Sequence, residues 1–238
     1  APVRAEDVGE ILERMAEIYA GQGVREKLPL SQAGRVQDLL RLVGDATVTP
    51  AAKDLFTKLG SVDQIPAIPR PRNLRVENFR DYQKRGFSWM VFLHQCGTGG
   101  ILADDMGLGK TLQAIALLLW AKNKEKRKLN LVIAPTSVVP NWQREIEKFA
   151  PALTTVIWQG PNRQDRRVEL DDADVMITSY ALLRRDEEFL NTLDLRYVIL
   201  DEAQHIKNPT SATARAAKKL VSERRLALTG TPIENRLS

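Results

Sequence analysis

"GGILADDMGLGKTLQAIALLLWA", residues 99–121, decides the fold. A short apolar run, Ile101-Leu102-Ala103, gives way to a loop holding Gly107 and Gly109. A long apolar-rich stretch with helical spacing follows. Strand, glycine loop, helix is the order of a phosphate-binding loop, whose strict pattern is G-x-x-x-x-G-K-[ST]. Gly109, Lys110 and Thr111 fit that pattern, whereas Asp104 stands where its first glycine belongs. The physical parts survive the mismatch. Glycines let backbone N–H groups turn inward around phosphate oxygens. Lys110 can reach terminal phosphates, the Thr111 hydroxyl suits Mg²⁺, and the positive end of the following helix faces the anion. The pair Asp104-Asp105 is the odd feature. Two carboxylates cannot both face phosphate, because like charges at close range repel. Hydrogen bonding to loop N–H groups, pairing with a base, and exposure of one of them to solvent all remain open.

Outward from this loop the same alternation continues. "LNLVIAP", "TTVIWQ", "DVMITSY", "LRYVILDE" and "RRLALTG" read as further strands, apolar on both faces as buried parallel strands are, with helical stretches between them. "FRDYQKRGFSWMVFLHQ" reads as a helix from about Phe79, before the first strand. Alternating strands and helices predict a parallel α/β sheet with right-handed crossovers, whose ligands bind at the carboxyl ends of the strands. The chemically loaded stretches fall at those ends.

Residues 1–66 have a different character. "EDVGEILERMAEIYAG" places Val8, Ile11, Leu12, Met15 and Ile18 at helical spacing. "SQAGRVQDLLRLVG" starts at a capping serine and stops at Gly44. "TPAAKDLFTKLG" has Thr49 as cap and Pro50 in the first turn. These predict a small helical appendage. "IPAIPRPRN" reads as an extended linker over 67–78, leading to the α/β domain at 79–238.

Composition sets limits. The chain has 238 residues, 43% of them hydrophobic, which suffices for one large domain with an appendage. A formal net charge of +5 permits a polyanionic partner without requiring one. A single cysteine, Cys96, excludes an internal disulfide framework and a cysteine-rich metal cluster. No apolar run reaches membrane-spanning length and the first residues are charged rather than signal-like, so the expectation is an intracellular protein without a membrane partner. The basic stretch "KNKEKRK", residues 122–128, reads as a solvated loop after a helix. His94 and His205 lack metal-ligand spacing and read as packing or hydrogen-bonding residues.

The strand "RYVIL" ends in Asp201-Glu202. Standing alone, such a pair is a solvated acidic turn; following a phosphate loop in one sheet, it is the acid pair of a nucleotide hydrolase. Asp201 would hold Mg²⁺, and Glu202 would orient and deprotonate a water.

"DDMGLGKT", "DEAQHIKN" and "LTGTPIEN" together resemble motifs I, II and III of the Swi/Snf family, DNA-translocating ATPases of helicase superfamily two. "FRDYQKRGFSWM" resembles the family's adenine-reading segment, "APTSVVPNWQREIEKF" its motif Ia and "ITSY" its motif Ib; the resemblance runs over residues 74–238. Two departures are mild: Asp104-Asp105 replaces the usual Asp-Glu, and Gln204 stands where His is common. The resemblance implies a RecA-like first lobe that binds ATP and Mg²⁺. Gln83 is its adenine reader, and Asp105, Met106, Gly107, Leu108, Gly109, Lys110 and Thr111 form its phosphate loop. Lys110, Asp201 and Glu202 carry catalysis, and Thr111 and Asp201 hold the metal. It implies contact with the backbone of double-stranded DNA through Thr136, Ser137, Asn141, Thr178, Ser179 and Lys207. Gln204, Thr229, Gly230 and Thr231 would couple nucleotide state to the DNA path. Helix capping is the plain alternative for Thr136 and Ser137. It further implies a second RecA-like lobe of the full-length chain, supplying arginine fingers, so that this piece alone hardly turns over. The absence of long insertions points to a bacterial or archaeal member, cytoplasmic and nucleoid-associated; a eukaryotic one would be nuclear. A strand-separating DNA or RNA helicase, or a nucleotide-binding scaffold without turnover, are the alternatives.

Overall fold

The computed structural model describes residues 65–230. The helices expected within residues 1–64, and Thr231, lie outside the described residues. The described residues from Pro66 to Gly230 form one compact unit. All six expected runs are strands: β1 (Gly100–Leu102), β2 (Leu129–Ala134), β3 (Thr155–Ile157), β4 (Val175–Ser179), β5 (Leu195–Leu200) and β6 (Arg224–Leu228). Helices α1 (Asp81–Gln95), α2 (Lys110–Lys124), α3 (Val139–Phe149), α4 (Tyr180–Arg185), α5 (Glu187–Leu190) and α6 (Ala212–Lys219) lie before and between them. Two 3₁₀ runs, Arg163–Asp172 and Ala203–Ile206, complete the described elements. The first was not expected: "RQDRRVELDD" has no apolar period to read.

The sheet order is β1-β6-β5-β2-β4-β3, and every neighbouring pair is parallel. This is the RecA-like parallel sheet flanked by helices. Strand period two divides the core. Val132 and Ala134 of β2 join one cluster with α1, α2 and α3; Leu131 and Ile133 join another with α4 and α6. Helix α2 lies between α1 and α3 over the sheet, which is why residues 112–119 are buried almost all round. Ile115, Leu117, Leu118 and Leu119 are essentially inaccessible. Each contributes about 1.5–3 kcal/mol by burial.

Burial on both faces holds for β2, β4 and β5 but not at the β1 edge, where Ile101 is 64% exposed and Arg225 of neighbouring β6 is exposed. Arg225 instead donates to carbonyls of Ala217, Lys218 and Leu220 at the end of α6, where helix carbonyls lack internal partners.

The segment read as a linker is extended but fastened along its length. Ile68 N–H donates to Ser88 Oγ at 2.9 Å, Arg75 N–H to Phe149 O at 2.7 Å, and Leu74 and Phe79 are buried in the core. The basic stretch partly continues α2 and lies just before β2, at the amino end of the sheet. Lys122 pairs with Asp174 at 2.6 Å, Arg127 with Asp172 at 3.1 Å, and Lys128 with Asp194 and Glu223. His94 is buried between Tyr197 and Glu125, hydrogen-bonded to both.

Candidate active site at the carboxyl edge of the sheet

Five loops leave the carboxyl ends of the strands, and the strand order sets them side by side. The phosphate loop follows β1, Thr229-Gly230 follows β6, Asp201-Glu202 follows β5, Pro135–Val138 follows β2, and Tyr180 follows β4. The sequence scatters these stretches from Ala103 to Gly230; parallel pairing makes them one edge.

The phosphate loop starts helix α2 through Gly109, whose φ of +75° is left-handed backbone that costs glycine nothing. A Cβ there would also stand 2.6 Å from Gln83 Nε2. Gln83 is spent on the loop itself: Nε2 donates to Leu108 O at 3.3 Å and Oε1 accepts from Arg80 N–H at 3.0 Å. Each amide end keeps one further valence, so Gln83 can meet an adenine edge while holding the loop. Lys110 Nζ lies on its own loop, donating to Asp104 O at 2.7 Å and Asp105 O at 3.0 Å. Thr111, half-buried, occupies the first turn of α2. Met106 and Gly107 are exposed.

The acid pair in this loop divides. Asp104 turns inward and accepts from Gln113 Nε2 of α2 at 3.0 Å, whereas Asp105 is exposed. The two like charges are thus kept apart, with neither required at the phosphates.

Across the edge, Asp201 is buried. Its Oδ2 accepts from Trp142 Nε1 at 2.8 Å and its Oδ1 from Glu202 N–H at 3.0 Å. Burial pushes its carboxyl above the ordinary value, Glu202 adds to this, and the Trp142 bond and the more distant Lys110 charge work against it. Asp186 makes the contrast. It is likewise shielded from solvent, though less deeply, and accepts from Trp158 Nε1 at 2.8 Å, but Arg163 also grips it at 2.6 Å and holds its carboxyl below the ordinary value. Among the described residues no cation stands within ion-pair distance of Asp201. A buried carboxylate given N–H donors but no cation fits a divalent ion. The Thr111 hydroxyl, in the loop on the same sheet edge, is a second hard oxygen of the kind that suits Mg²⁺, which commonly takes one or two protein ligands and completes its shell with phosphate and water.

Glu202 takes left-handed backbone, φ 50° and ψ 55°, the only non-glycine residue to do so among the described ones. That geometry costs a side-chain-bearing residue of order 1–3 kcal/mol. Its Oε2 accepts from Gln204 Nε2 at 2.8 Å, and Gln204 Oε1 accepts from the Thr229 hydroxyl at 3.0 Å. Thr229 N–H donates to Leu102 O of β1 at 3.1 Å, and Gly230 packs against Met106 of the phosphate loop. One chain of contacts therefore runs from Glu202 through Gln204 and Thr229 back to the loop.

The expected nucleic-acid residues fare unequally. Thr136 and Ser137 are exposed, and neither caps α3, whose N-cap is Val138. Asn141 is half-buried and donates to Glu145 Oε1 at 3.2 Å. Lys207 is exposed on the segment after the acid pair. Thr178 and Ser179 correct the expectation. Thr178 is fully buried and its hydroxyl donates to Trp158 O at 3.0 Å; the buried Ser179 Oγ accepts from Leu182 N–H as the cap of α4. Thr178 has spent its donor on Trp158 O, and burial keeps the hydroxyls of both residues away from an external phosphate. The sequence reading missed Trp142 and Tyr180. Tyr180 OH donates to Asp201 O at 2.7 Å, and its ring stacks on His205 at 5.2 Å. The available signal was chemical: a buried indole N–H or phenol O–H needs a partner.

Known proteins are similar to this chain over most of its length. YwqA of Bacillus subtilis (strain 168), named for an ATP-dependent helicase/translocase, is 43% identical over 190 residues, 78% of this chain and 20% of that protein. Helicase SWR1 of Saccharomyces cerevisiae is 41% identical over 177 residues, 72% of this chain and 12% of that protein. The chain thus spans a fifth or less of these curated relatives. The solved Sulfolobus solfataricus SWI2/SNF2 ATPase core in complex with double-stranded DNA matches at a TM-score of 0.67 and 45% identity, covering 72% of this chain and 36% of that one. Residues 82–238, more than half of the chain, match the SNF2-related domain, and the chain belongs to that family.

Proposed function

We propose that this chain is the ATP-binding first lobe of a motor that couples ATP hydrolysis to translocation on double-stranded DNA and remodelling of DNA-bound protein. The observation that carries this is Asp201: a buried carboxylate, without a cationic partner among the described residues, on the same edge as the Lys110 loop and the Glu202–Gln204–Thr229 chain. Lys110 exchanges its two loop carbonyls for phosphate oxygens and stabilises charge on the transferred group. Thr111 and Asp201 would hold Mg²⁺, which would supply charge neutralisation when bound. Glu202 orients and deprotonates the attacking water. Exposed Thr136, Ser137 and Lys207, with half-buried Asn141, face the DNA backbone and give position without base readout. The structural relative's complex with double-stranded DNA supports that partner.

The test is turnover of the full-length protein with double-stranded DNA, single-stranded DNA and RNA compared. Duplex DNA should stimulate most, with no strand displacement. Stimulation by RNA or single strands with displacement would favour a strand-separating helicase, and nucleotide binding without turnover would leave a scaffold.

A further inference from the structure

We propose that Trp142 and Tyr180 are positioning residues that tie the two segments beside the expected DNA path to Asp201, so that seating of those segments sets the geometry of the acid pair. This rests on the reading of the site as a DNA-stimulated ATPase.

Asp201 is attached at three points. Its backbone N–H donates to Ile133 O at 2.8 Å, its carboxylate accepts from the Trp142 indole at 2.8 Å, and its carbonyl accepts from the Tyr180 hydroxyl at 2.7 Å. Ile133 lies at the end of β2, just before the exposed Thr136 and Ser137, and Trp142 lies in the first turn of α3, just after them. A shift of the Pro135–Asn141 segment therefore pulls on the backbone and the carboxylate of Asp201 together. Tyr180 opens α4 directly after its cap, and its ring stacks on His205, next to the Gln204 that bonds Glu202 and Thr229. The second attachment thus reaches both members of the acid pair. Glu145, one turn beyond Trp142 on α3 and bonded by Asn141, is close enough for its charge and that of Asp201 to interact. Both aromatic side chains are buried, so their donors have no water to turn to.

A buried indole–carboxylate pair is not in itself the signal. Trp158 and Asp186 form one too, but Arg163 completes it beside the far edge strand β3. At Asp201 no such guanidinium stands within ion-pair distance among the described residues. A catalytic group must be held closely, since a misplacement of about 1 Å costs roughly a hundredfold in rate. The neutral Trp142 indole fixes the carboxylate and the neutral Tyr180 hydroxyl fixes the backbone carbonyl, and neither brings a charge of its own.

The test uses the full-length protein and the variants Trp142→Phe and Tyr180→Phe, which keep the rings and remove only the donors. Trp158→Phe is the control, removing the same donor from the pair that holds Arg163. Affinity for a duplex is measured with and without a non-hydrolysable ATP analogue and Mg²⁺, and stimulated turnover is measured alongside. Melting temperature reports folding. In the wild type, nucleotide should change duplex affinity, and by linkage duplex should change nucleotide affinity by the same factor. Trp142→Phe and Tyr180→Phe should bring that factor towards one and lower stimulated turnover about tenfold. Trp158→Phe should lower the melting temperature and leave the factor intact. Full coupling in the folded Trp142 and Tyr180 variants overturns the proposal, as does equal loss of coupling in the Trp158 control. If one variant does not fold, the other decides. A wild type without coupling would instead remove the functional reading beneath it.

Discussion

At the scale of single residues the site is a matter of which charges are balanced and by what. Asp104 is held by Gln113, Lys110 rests on loop carbonyls, and Asp201 lacks a cation among the described residues. Glu202 sits in strained backbone and is aimed by Gln204. Each of the acid pair therefore has its own expected failure. Glu202→Gln should keep nucleotide and Mg²⁺ binding, because the amide fills the same place, yet lower turnover by about 10²–10⁴-fold, since it cannot take a proton from water. Asp201→Asn should weaken Mg²⁺ binding as well. Equilibrium nucleotide binding at varied Mg²⁺, beside single-turnover hydrolysis, separates the two; equal loss of binding in both would deny the division of labour. These residues were legible in the sequence because their chemistry is local: glycine, lysine and hydroxyl in one loop, two acids at one strand end. Trp142 was not, because its partner lies 59 residues away and only the sheet order brings them together.

At the scale of elements, strands read well and their order did not. Six apolar runs are visible in the sequence, but nothing local places β6 between β1 and β5, and that placement joins Thr229 to the phosphate loop. Thr178 and Ser179 were misjudged for the same reason: alternation and capping, both settled by neighbours, decide where a hydroxyl points. The α1–α2 contact allows a sharp test. Gly86 lies inside α1, and a Cβ there would fall 2.0 Å from Gln113 Oε1 on α2. In an open helix Gly→Ala stabilises by about 0.5–1 kcal/mol. Overpacking costs about 1–3 kcal/mol, so Gly86→Ala should destabilise by roughly 1–2 kcal/mol net. It should also disturb the Gln113 bond to Asp104, raising the nucleotide concentration for half-saturation. Urea unfolding and nucleotide titration check it, and a more stable Ala variant would show that α1 and α2 are looser than drawn. The Asp186 knot gives a pH test. Arg163 lowers its folded pKa, so its stabilisation is present above the unfolded value of about 3.9 and is lost as pH falls through the folded value. Asp186→Asn should therefore cost stability at neutral pH and flatten the acid limb, as read from melting temperature against pH.

At the scale of the whole molecule the question is how much of the proposed ATPase these 238 residues contain. The carboxyl edge holds the residues expected on nucleotide, after β1, β6 and β5, and beside them those expected on DNA, after β2 and on the run that follows the acid pair; the two groups meet at Asp201. The residues proposed for DNA, exposed Thr136, Ser137 and Lys207 and half-buried Asn141, are of the kinds that meet a phosphate backbone rather than base edges. With a formal charge of +5, the 238-residue chain should bind duplex weakly, alike for unrelated sequences, and less as salt rises, because each neutralised phosphate contributes a slope of about −0.9 in log affinity against log salt. Hydrolysis should be more limited still. Among the described residues Lys110 is the cation whose charge is felt at Asp201. A second cationic group on the transferring phosphoryl, of the arginine-finger kind, typically contributes about 10³–10⁵-fold in rate. The matched archaeal ATPase core is a longer chain, of which this one covers 36%. Turnover of the 238-residue chain should therefore fall at least about a thousandfold below that of a chain extended to the core's length, with duplex stimulating only the longer one. The comparison is made at equal protein, Mg²⁺ and duplex concentration. Equal, duplex-stimulated rates in both would mean that residues 1–238 already hold the whole catalytic apparatus, and that the cation completing it must be sought within them.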